Sequence, residues 1–166
     1  MEEEFNSRQL GIKYSIIFAI IGSLVWCVPA ALRVTFSAQI LLYWAYFIGI
    51  YILAMKEYKK GNGGFMSFGK GFGIAMTIAA IGGLLRSVIR YVYLTIDSEY
   101  FEFAKELADQ NPFSQGQEQT EQTERIMEMF LSPEVASIQS FLGAIFGGLI
   151  FGAIVAAIIK NEEEEY

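Results

Sequence analysis

The chain has 166 residues, of which 54% are hydrophobic and 18% are charged, and its formal net charge is −6. That length allows one domain, and the charged share is below the roughly 25% that is typical of soluble proteins. With no histidine and one cysteine, the sequence lacks the residues of a zinc site and of a disulfide framework. Its acidic balance also excludes a basic nucleic-acid-binding stripe. The composition therefore indicates a membrane protein and no nucleic-acid partner.

Four apolar runs follow one another, and each is long enough to cross a hydrocarbon core of about 30 Å as a helix. The predicted spans cover about residues 12–32, 36–55, 68–94 and 135–159. The fourth begins at Ser132-Pro133-Glu134, a strong helix start with serine as the N-cap. The expected fold is an all-α integral membrane protein, a four-transmembrane-helix antiparallel bundle in which residues 1–166 form a single membrane domain.

The third and fourth runs are separated by a polar segment, residues 97–134, which holds ten acidic and two basic residues. Apolar residues at helical spacing near both of its ends predict two short amphipathic helices that lie on the membrane surface or cap the bundle. Residues 111–122 between them are rich in Gln, Ser and Glu and predict a flexible linker.

The distribution of basic residues predicts the orientation of the chain in the membrane. The densest cluster lies on the short connection between the second and third spans and comprises Lys56, Lys59, Lys60 and Lys70. We expect this cluster to face the cytoplasm of a bacterial inner membrane. Both termini are then cytoplasmic, and the segment 97–134 is extracytoplasmic.

Two arginines interrupt the third run. Arg86 and Arg90 are one helical turn apart and therefore project from the same face. A charge at the depth of Arg86 costs at least about 2.5–3.5 kcal/mol unless it is paired or hydrated. The expected partners are a carboxylate at the outer edge (Asp97, Glu99 or Glu134) or lipid phosphates, so structural pairing, anion or lipid contact and transport all stay open.

Small residues four apart run through the third and fourth spans and allow helix backbones to approach closely. The expected packing residues are Gly73, Ala79, Gly83, Gly143, Gly147 and Gly152. They serve contacts within this bundle or the interface of a homo-oligomer, and the sequence does not separate the two.

The remaining candidate residues have structural explanations. The aromatic residues 43–47 lie in the middle of the second span, where they pack against neighbouring helices or line a ligand pocket. Cys27 lies among apolar residues and is expected to be an inert small hydrophobe. No catalytic pair, metal-ligand set or cofactor motif stands out at membrane depth, so we expect the protein not to be an enzyme and to need no cofactor.

The run from Gly63 to Phe72 (GGFMSFGKGF), together with Arg90-Tyr91-Val92-Tyr93 and the glycine-rich fourth helix that ends at Lys160, resembles an uncharacterised integral membrane protein family of Bacteroidota. That family is known as domain of unknown function 4199. The resemblance implies a bacterial inner-membrane protein of about four helices and transfers no activity.

The sequence thus favours a multi-pass inner-membrane protein that assists assembly or binds a partner without catalysis. Its expected partners are membrane lipids and either a second copy or another membrane protein. The alternative is a small transport protein, or one that handles lipids or anions, with Arg86 and Arg90 in contact with the ligand. A polar cavity that contains Arg86 would favour this alternative, whereas small-residue faces turned outward would favour partner binding.

Overall fold

The computed structural model describes residues 6–34, 39–109 and 121–161, and these ranges are all-helical. The helices are α1 (Ser7–Ala31), α2 (Gln39–Gly61), α3 (Phe68–Ile96), α4 (Glu99–Asp109), α5 (Glu121–Leu131) and α6 (Pro133–Ile159). The predicted start of the second span at Phe36 and nearly all of the predicted linker lie outside the described residues.

Three of the helices are long and apolar enough to cross a membrane, namely α1, α3 and α6, with 25, 29 and 27 residues. The predicted second span is not among the three. It corresponds to α2, which has 23 residues and whose preceding residues 35–38 lie outside the described part of the chain. The structure therefore supports an all-helical protein with three helices that are able to span a membrane.

Helix starts follow local sequence signals. Ser132 caps α6, since its side chain accepts a hydrogen bond from the backbone N–H of Val135 and Pro133 is the first helical residue. The N-cap prediction is confirmed. Ser67 caps α3 in the same way through the backbone N–H of Lys70. Both hydroxyls satisfy N–H groups that a helix leaves without a partner at its start.

Helices α3 and α6 each contain one wide π-helical turn, at Ile78–Gly82 and Gly148–Gly152. The two turns lie against each other, because a Cβ atom built on Gly148 would come within 2.5 Å of the Cβ of Ala79. Such turns are rare and occur frequently near functional sites. The apolar pattern of the sequence did not predict them.

The two long helices pack through small residues on both sides of the wide turns. A Cβ added to Gly152 would lie 2.5 Å from the Cβ of Ala75, and one added to Gly83 would lie 2.6 Å from the Cβ of Ala144. These distances are too short for real side chains, so the glycines permit a close approach of the backbones.

Aromatic residues of α2 fill the space between α1 and the α3–α6 pair. Phe47 and Tyr51 are fully buried, and the Phe47 ring lies 4.9 Å from the ring of Phe18 on α1. The hydroxyl of Tyr46 donates a 2.9 Å hydrogen bond to the carbonyl oxygen of Phe18. This aromatic layer places α2 directly beside the arginines of α3.

Candidate functional site

Arg86 is buried, with 5% of its surface exposed, about 15 Å along α3 from the helix end at Ile96. Its Nη1 donates to the Tyr43 hydroxyl at 2.5 Å. Its Nη2 donates to the carbonyl oxygen and to the hydroxyl of Ser140, both at 3.0 Å. Side chains of α2 and α6 thus hold one guanidinium group between them.

Aromatic rings complete the surroundings of Arg86. Its guanidinium carbon lies 5.2 Å from the ring centre of Tyr43, 5.7 Å from that of Phe47 and 5.8 Å from that of Phe18. The negative faces of such rings attract a cation. Neutral acceptors and aromatic rings therefore surround this charge, and none of these contacts neutralises it.

Two of the candidate carboxylate partners of Arg86, Asp97 and Glu99, lie beside Arg33 instead. The Asp97 carboxylate binds Arg33 instead, with Nη1 to Oδ2 at 2.7 Å and Nη2 to Oδ1 at 2.5 Å, and Glu99 lies 3.9 Å from the same guanidinium. Arg33 lies two residues after the end of α1, beside Asp97 at the end of α3. Arg86 lies about three helical turns away from Asp97 on α3. In the described part of the chain, no carboxylate pairs with Arg86 or Arg90.

The Arg33–Asp97 ion pair fixes the end of the bundle near α4. The guanidinium of Arg33 and the hydroxyl of Tyr93, which donates to Oδ2 at 2.6 Å, lower the pKa of Asp97 to about 2. The same hydrogen bonds to Asp97 raise the pKa of Arg33. Both charges are retained at every physiological pH, so this pair is a structural anchor.

Arg90 lies one turn beyond Arg86 and is partly exposed. Its guanidinium carbon stands 4.3 Å from the ring centre of Trp26 on α1, a close cation–π contact. Burial raises the pKa of Tyr100, whose ring lies 5.3 Å from that of Trp26. Trp26 therefore contacts both Arg90 and the start of α4, and Tyr100 lies near enough to Arg90 to interact with its charge.

The two arginines line one cavity of about 200 Å³ between α1, α2, α3 and α6. We call it the arginine cavity; its wall comprises Gly22, Ser23, Trp26, Cys27, Tyr43, Arg86, Arg90 and Ser140. A side chain at Gly22 would meet the Tyr46 hydroxyl and, at 3.0 Å, the Cδ of Arg86, so this position needs glycine. Cys27, which we expected to be an inert apolar residue, forms part of this wall.

Three buried polar atoms on this wall have no hydrogen-bond partner among the described residues, namely Arg86 Nε, Arg90 Nε and Ser23 Oγ. All three are donors, and the cavity wall contains no carboxylate. The described part of the chain also has no cluster of His, Cys, Asp or Glu that could hold a metal ion. A wall with two positive charges and free donors has the chemistry of an anion site.

The predicted helix-packing residues divide into two groups. Ala79, Gly83, Gly147 and Gly152 lie in tight contacts between helices, and a Cβ on Gly147 would meet the Phe47 ring at 2.6 Å. Gly73 and Gly143 have no atom within 4 Å of a Cβ built on them, so they face open space. The small-residue faces are thus mainly used inside the chain.

Sequence reasoning brought Arg86 and Arg90 to one face but missed Ser23, Trp26 and Ser140. These residues are apolar or weakly polar members of long hydrophobic runs, and only the packing of α1 and α6 brings them to the arginines. Tyr43 is one of the aromatic residues 43–47, for which the sequence left open whether they pack against helices or line a ligand pocket.

The comparisons with known proteins give one match. A family model described as "Protein of unknown function (DUF4199)" matches residues 13–161. No curated protein and no solved structure matches the chain.

Proposed function

The chain belongs to this family of proteins of unknown function, and from that premise we propose that it is a membrane protein that binds an anionic group in the arginine cavity and catalyses no reaction. One observation carries the proposal: two arginines share a cavity whose wall holds unpartnered donors and no carboxylate. A buried, unpaired cation is costly, so an anion that enters the cavity would gain strong charge-assisted hydrogen bonds.

The proposal includes four membrane spans in an up-down-up-down bundle of a bacterial inner membrane. The order of contacts supports it: on α1 and α2, Lys13 pairs with Glu57 and Phe18 packs on Phe47, so residue numbers rise on one helix as they fall on the other. The same reversal holds for the small-residue contacts of α3 with α6. Helix α2 then crosses the membrane as the shielded, aromatic member of the bundle.

The proposed orientation keeps both termini in the cytoplasm. Contacts at one end support it: Nζ of Lys59 donates to the carbonyl oxygen of Ile159 at 3.0 Å, and Met66 and Asn161 exchange two backbone hydrogen bonds of 2.9 Å. The lysine-rich connection and the end of α6 therefore lie together. A basic end of this kind is typical of the cytoplasmic side.

Thermal unfolding of the purified full chain in detergent tests anion binding. We expect sodium salts of oxyanions or carboxylates, at constant ionic strength, to raise the unfolding temperature above that in sodium chloride, because a ligand that binds only the folded state stabilises it. The rise should be lost in Arg90→Gln and kept in Arg8→Gln, which removes an exposed arginine outside the arginine cavity. Equal behaviour of all salts would contradict the proposal.

A specific observation favours a second function, partner binding through α5. In this helix Ile126, Met129 and Phe130 are 47%, 54% and 51% exposed within an otherwise polar segment. An exposed apolar face of this kind suits a partner or the membrane surface. Replacing Phe130 with Ser should abolish the capture of a stoichiometric companion in gentle detergent if that function holds.

A further inference from the structure

We infer that the ligand of the arginine cavity is a phosphate group, carried by a lipid headgroup or present as free phosphate. This inference rests on the proposed function and specifies the class of its anion. It follows from the number and arrangement of the donors, the size of the cavity and the depth of the two arginines along α3.

The donors that remain for a ligand come from three side chains. Arg86 keeps Nε–H, because its Nη1 and Nη2 already donate to Tyr43 and Ser140. Arg90 keeps Nε–H. Its guanidinium group lies over the ring of Trp26 and near Tyr100. Ser23, which is 8% exposed, adds a hydroxyl. These three side chains therefore carry three N–H or O–H donors that have no acceptor among the described residues, and the Nη groups of Arg90 add to them.

This set of donors matches phosphate better than smaller anions. One edge of the Arg90 guanidinium forms a fork for two oxygens, as carboxylates and phosphates require. A carboxylate has no further oxygen for Arg86 and Ser23, whereas a phosphate group has one or two more. Its charge can also reach −2, which balances two guanidinium groups, whereas a carboxylate carries −1.

The cavity is larger than a single small ion needs. A volume of about 200 Å³ is well above the roughly 10–15 Å³ that a cavity needs to hold one water. A phosphate group that carries an organic substituent, such as a glycerol unit, fits this volume. A halide would touch only one side of it.

The depth of the arginines allows both sources of phosphate. Helix α3, with 29 residues, is about 44 Å long, so about 7 Å extends beyond each side of a centred 30 Å core. Arg90 lies about 9 Å from the end at Ile96, which places it about 2 Å inside the hydrocarbon boundary. Lipid phosphates of that leaflet and dissolved phosphate from that side both reach its guanidinium, and Arg86 lies one turn deeper.

Ligand binding can be measured through the reactivity of Cys27, since this residue is the only cysteine of the chain and lines the cavity. The full chain is reconstituted in nanodiscs of a neutral galactolipid, which carries no phosphate, and the rate of Cys27 alkylation by a small maleimide is followed. One arm adds sodium phosphate, with sodium chloride and sodium acetate at equal ionic strength as comparisons. The other arm adds 20% phosphatidic acid to the nanodiscs without free phosphate.

We expect phosphate or phosphatidic acid, whichever is the source, to slow alkylation at least about threefold with saturation, because the ligand fills the space beside the thiol. Arg90→Gln should raise the half-saturating phosphate concentration, or the half-saturating fraction of phosphatidic acid, about tenfold or more. Arg8→Gln, the matched loss of an exposed arginine, should leave it unchanged. Protection by free phosphate identifies the soluble ion, and protection by phosphatidic acid alone identifies a lipid headgroup.

Three results would overturn the inference. Acetate protecting as well as phosphate, and both more than chloride, would contradict a phosphate ligand and leave the proposed anion site standing. If no anion slows the alkylation of Cys27 and no salt shifts the unfolding temperature, both the anion site and its phosphate ligand are contradicted. Equal weakening by Arg8→Gln and Arg90→Gln would show a general charge effect. The comparison of anions on the unaltered chain keeps the test decisive if Arg90→Gln does not fold.

Discussion

At the scale of single residues, the chain satisfies Arg86 with neutral groups and leaves part of its hydrogen-bonding capacity to the cavity. Tyr43 and Ser140 accept three of its hydrogen bonds, and three aromatic rings surround its guanidinium. A carboxylate partner would have neutralised the charge and closed the site to other anions. The absence of one from the cavity wall is what makes an anion ligand attractive.

Tyr43→Phe should lower the free energy of unfolding by about 1–3 kcal/mol, because Nη1 of a buried cation loses its acceptor while the ring contact persists. Denaturation in mixed detergent micelles, followed by circular dichroism, measures the change. The matched control is Tyr91→Phe, since Tyr91 is 41% exposed. A loss in the control as large as that in Tyr43→Phe would contradict the assigned role of the Tyr43 hydroxyl.

The spacing of Arg86 and Arg90 predicted that both side chains leave one face of α3, because positions four apart meet on a helix. Their partners were not predictable, since Tyr43 and Ser140 are 43 and 54 residues away from Arg86 in the sequence. Such contacts depend on how helices pack, and local patterns do not encode that. Asp97, one of several candidate partners, binds Arg33 instead, which lies beside it at the end of the bundle.

At the scale of elements, the small-residue stripes of α3 and α6 act as a close helix contact. The sequence predicted the stripes from their four-residue spacing, but it could not tell which members face a neighbour. Gly83 meets Ala144, whereas Gly143, which belongs to the same pattern, faces open space. The rotation of each helix decides this, and the wide turns change that rotation in the middle of both.

Gly83→Ala should destabilise the fold by about 1–3 kcal/mol, since the new Cβ would lie 2.6 Å from the Cβ of Ala144 and neither backbone can yield easily. Gly143→Ala is the matched control. It should be neutral or slightly stabilising, because alanine is the better helix former and nothing stands within 4 Å. Thermal unfolding in detergent compares the two, and equal losses would contradict the packing described.

Asp97, at the junction of α3 with α4, should make the free energy of unfolding depend on pH. Because the pKa of Asp97 falls from 3.8 to about 2 on folding, its contribution is present above pH 4 and is lost as the pH falls toward 2. Asp97→Asn should be less stable at pH 6 and should show a flatter decline between pH 4 and 2. The control is Glu102→Gln, an exposed carboxylate on α4. An unchanged profile in Asp97→Asn would contradict the anchor.

At the scale of the whole molecule, the ion pairs between described residues lie at the two ends of the long helices. Lys13 binds Glu57 at 2.7 Å at one end, and Arg33 binds Asp97 at the other. The apolar middle agrees with three of the four predicted spans, which correspond to α1, α3 and α6. Composition thus predicted the class of protein. The cavity could not be predicted in this way, because residues of four packed helices form its wall.

The proposed orientation predicts the behaviour of reporter fusions. A phosphatase that is active only outside the cytoplasm should be active after Gln117 and inactive after Asn62, because the lysine-rich connection is retained on the cytoplasmic side. Enzyme activity normalised to the amount of fusion protein measures this. The reverse pattern would overturn the orientation and leave the cavity in place.

The paired wide turns of α3 and α6 also bear on how this family can change in length. A π turn holds about one residue more than an α turn, so it behaves as an inserted residue that the helix absorbs without shifting its ends. Ala80 and Ile81 are exposed positions in the wide turn of α3. A homologue that lacks one of them would close an ordinary α turn there and keep Arg86 and Arg90 in register. We therefore expect single-residue gaps in family alignments to collect at these two turns, where an insertion does not disturb the arginines.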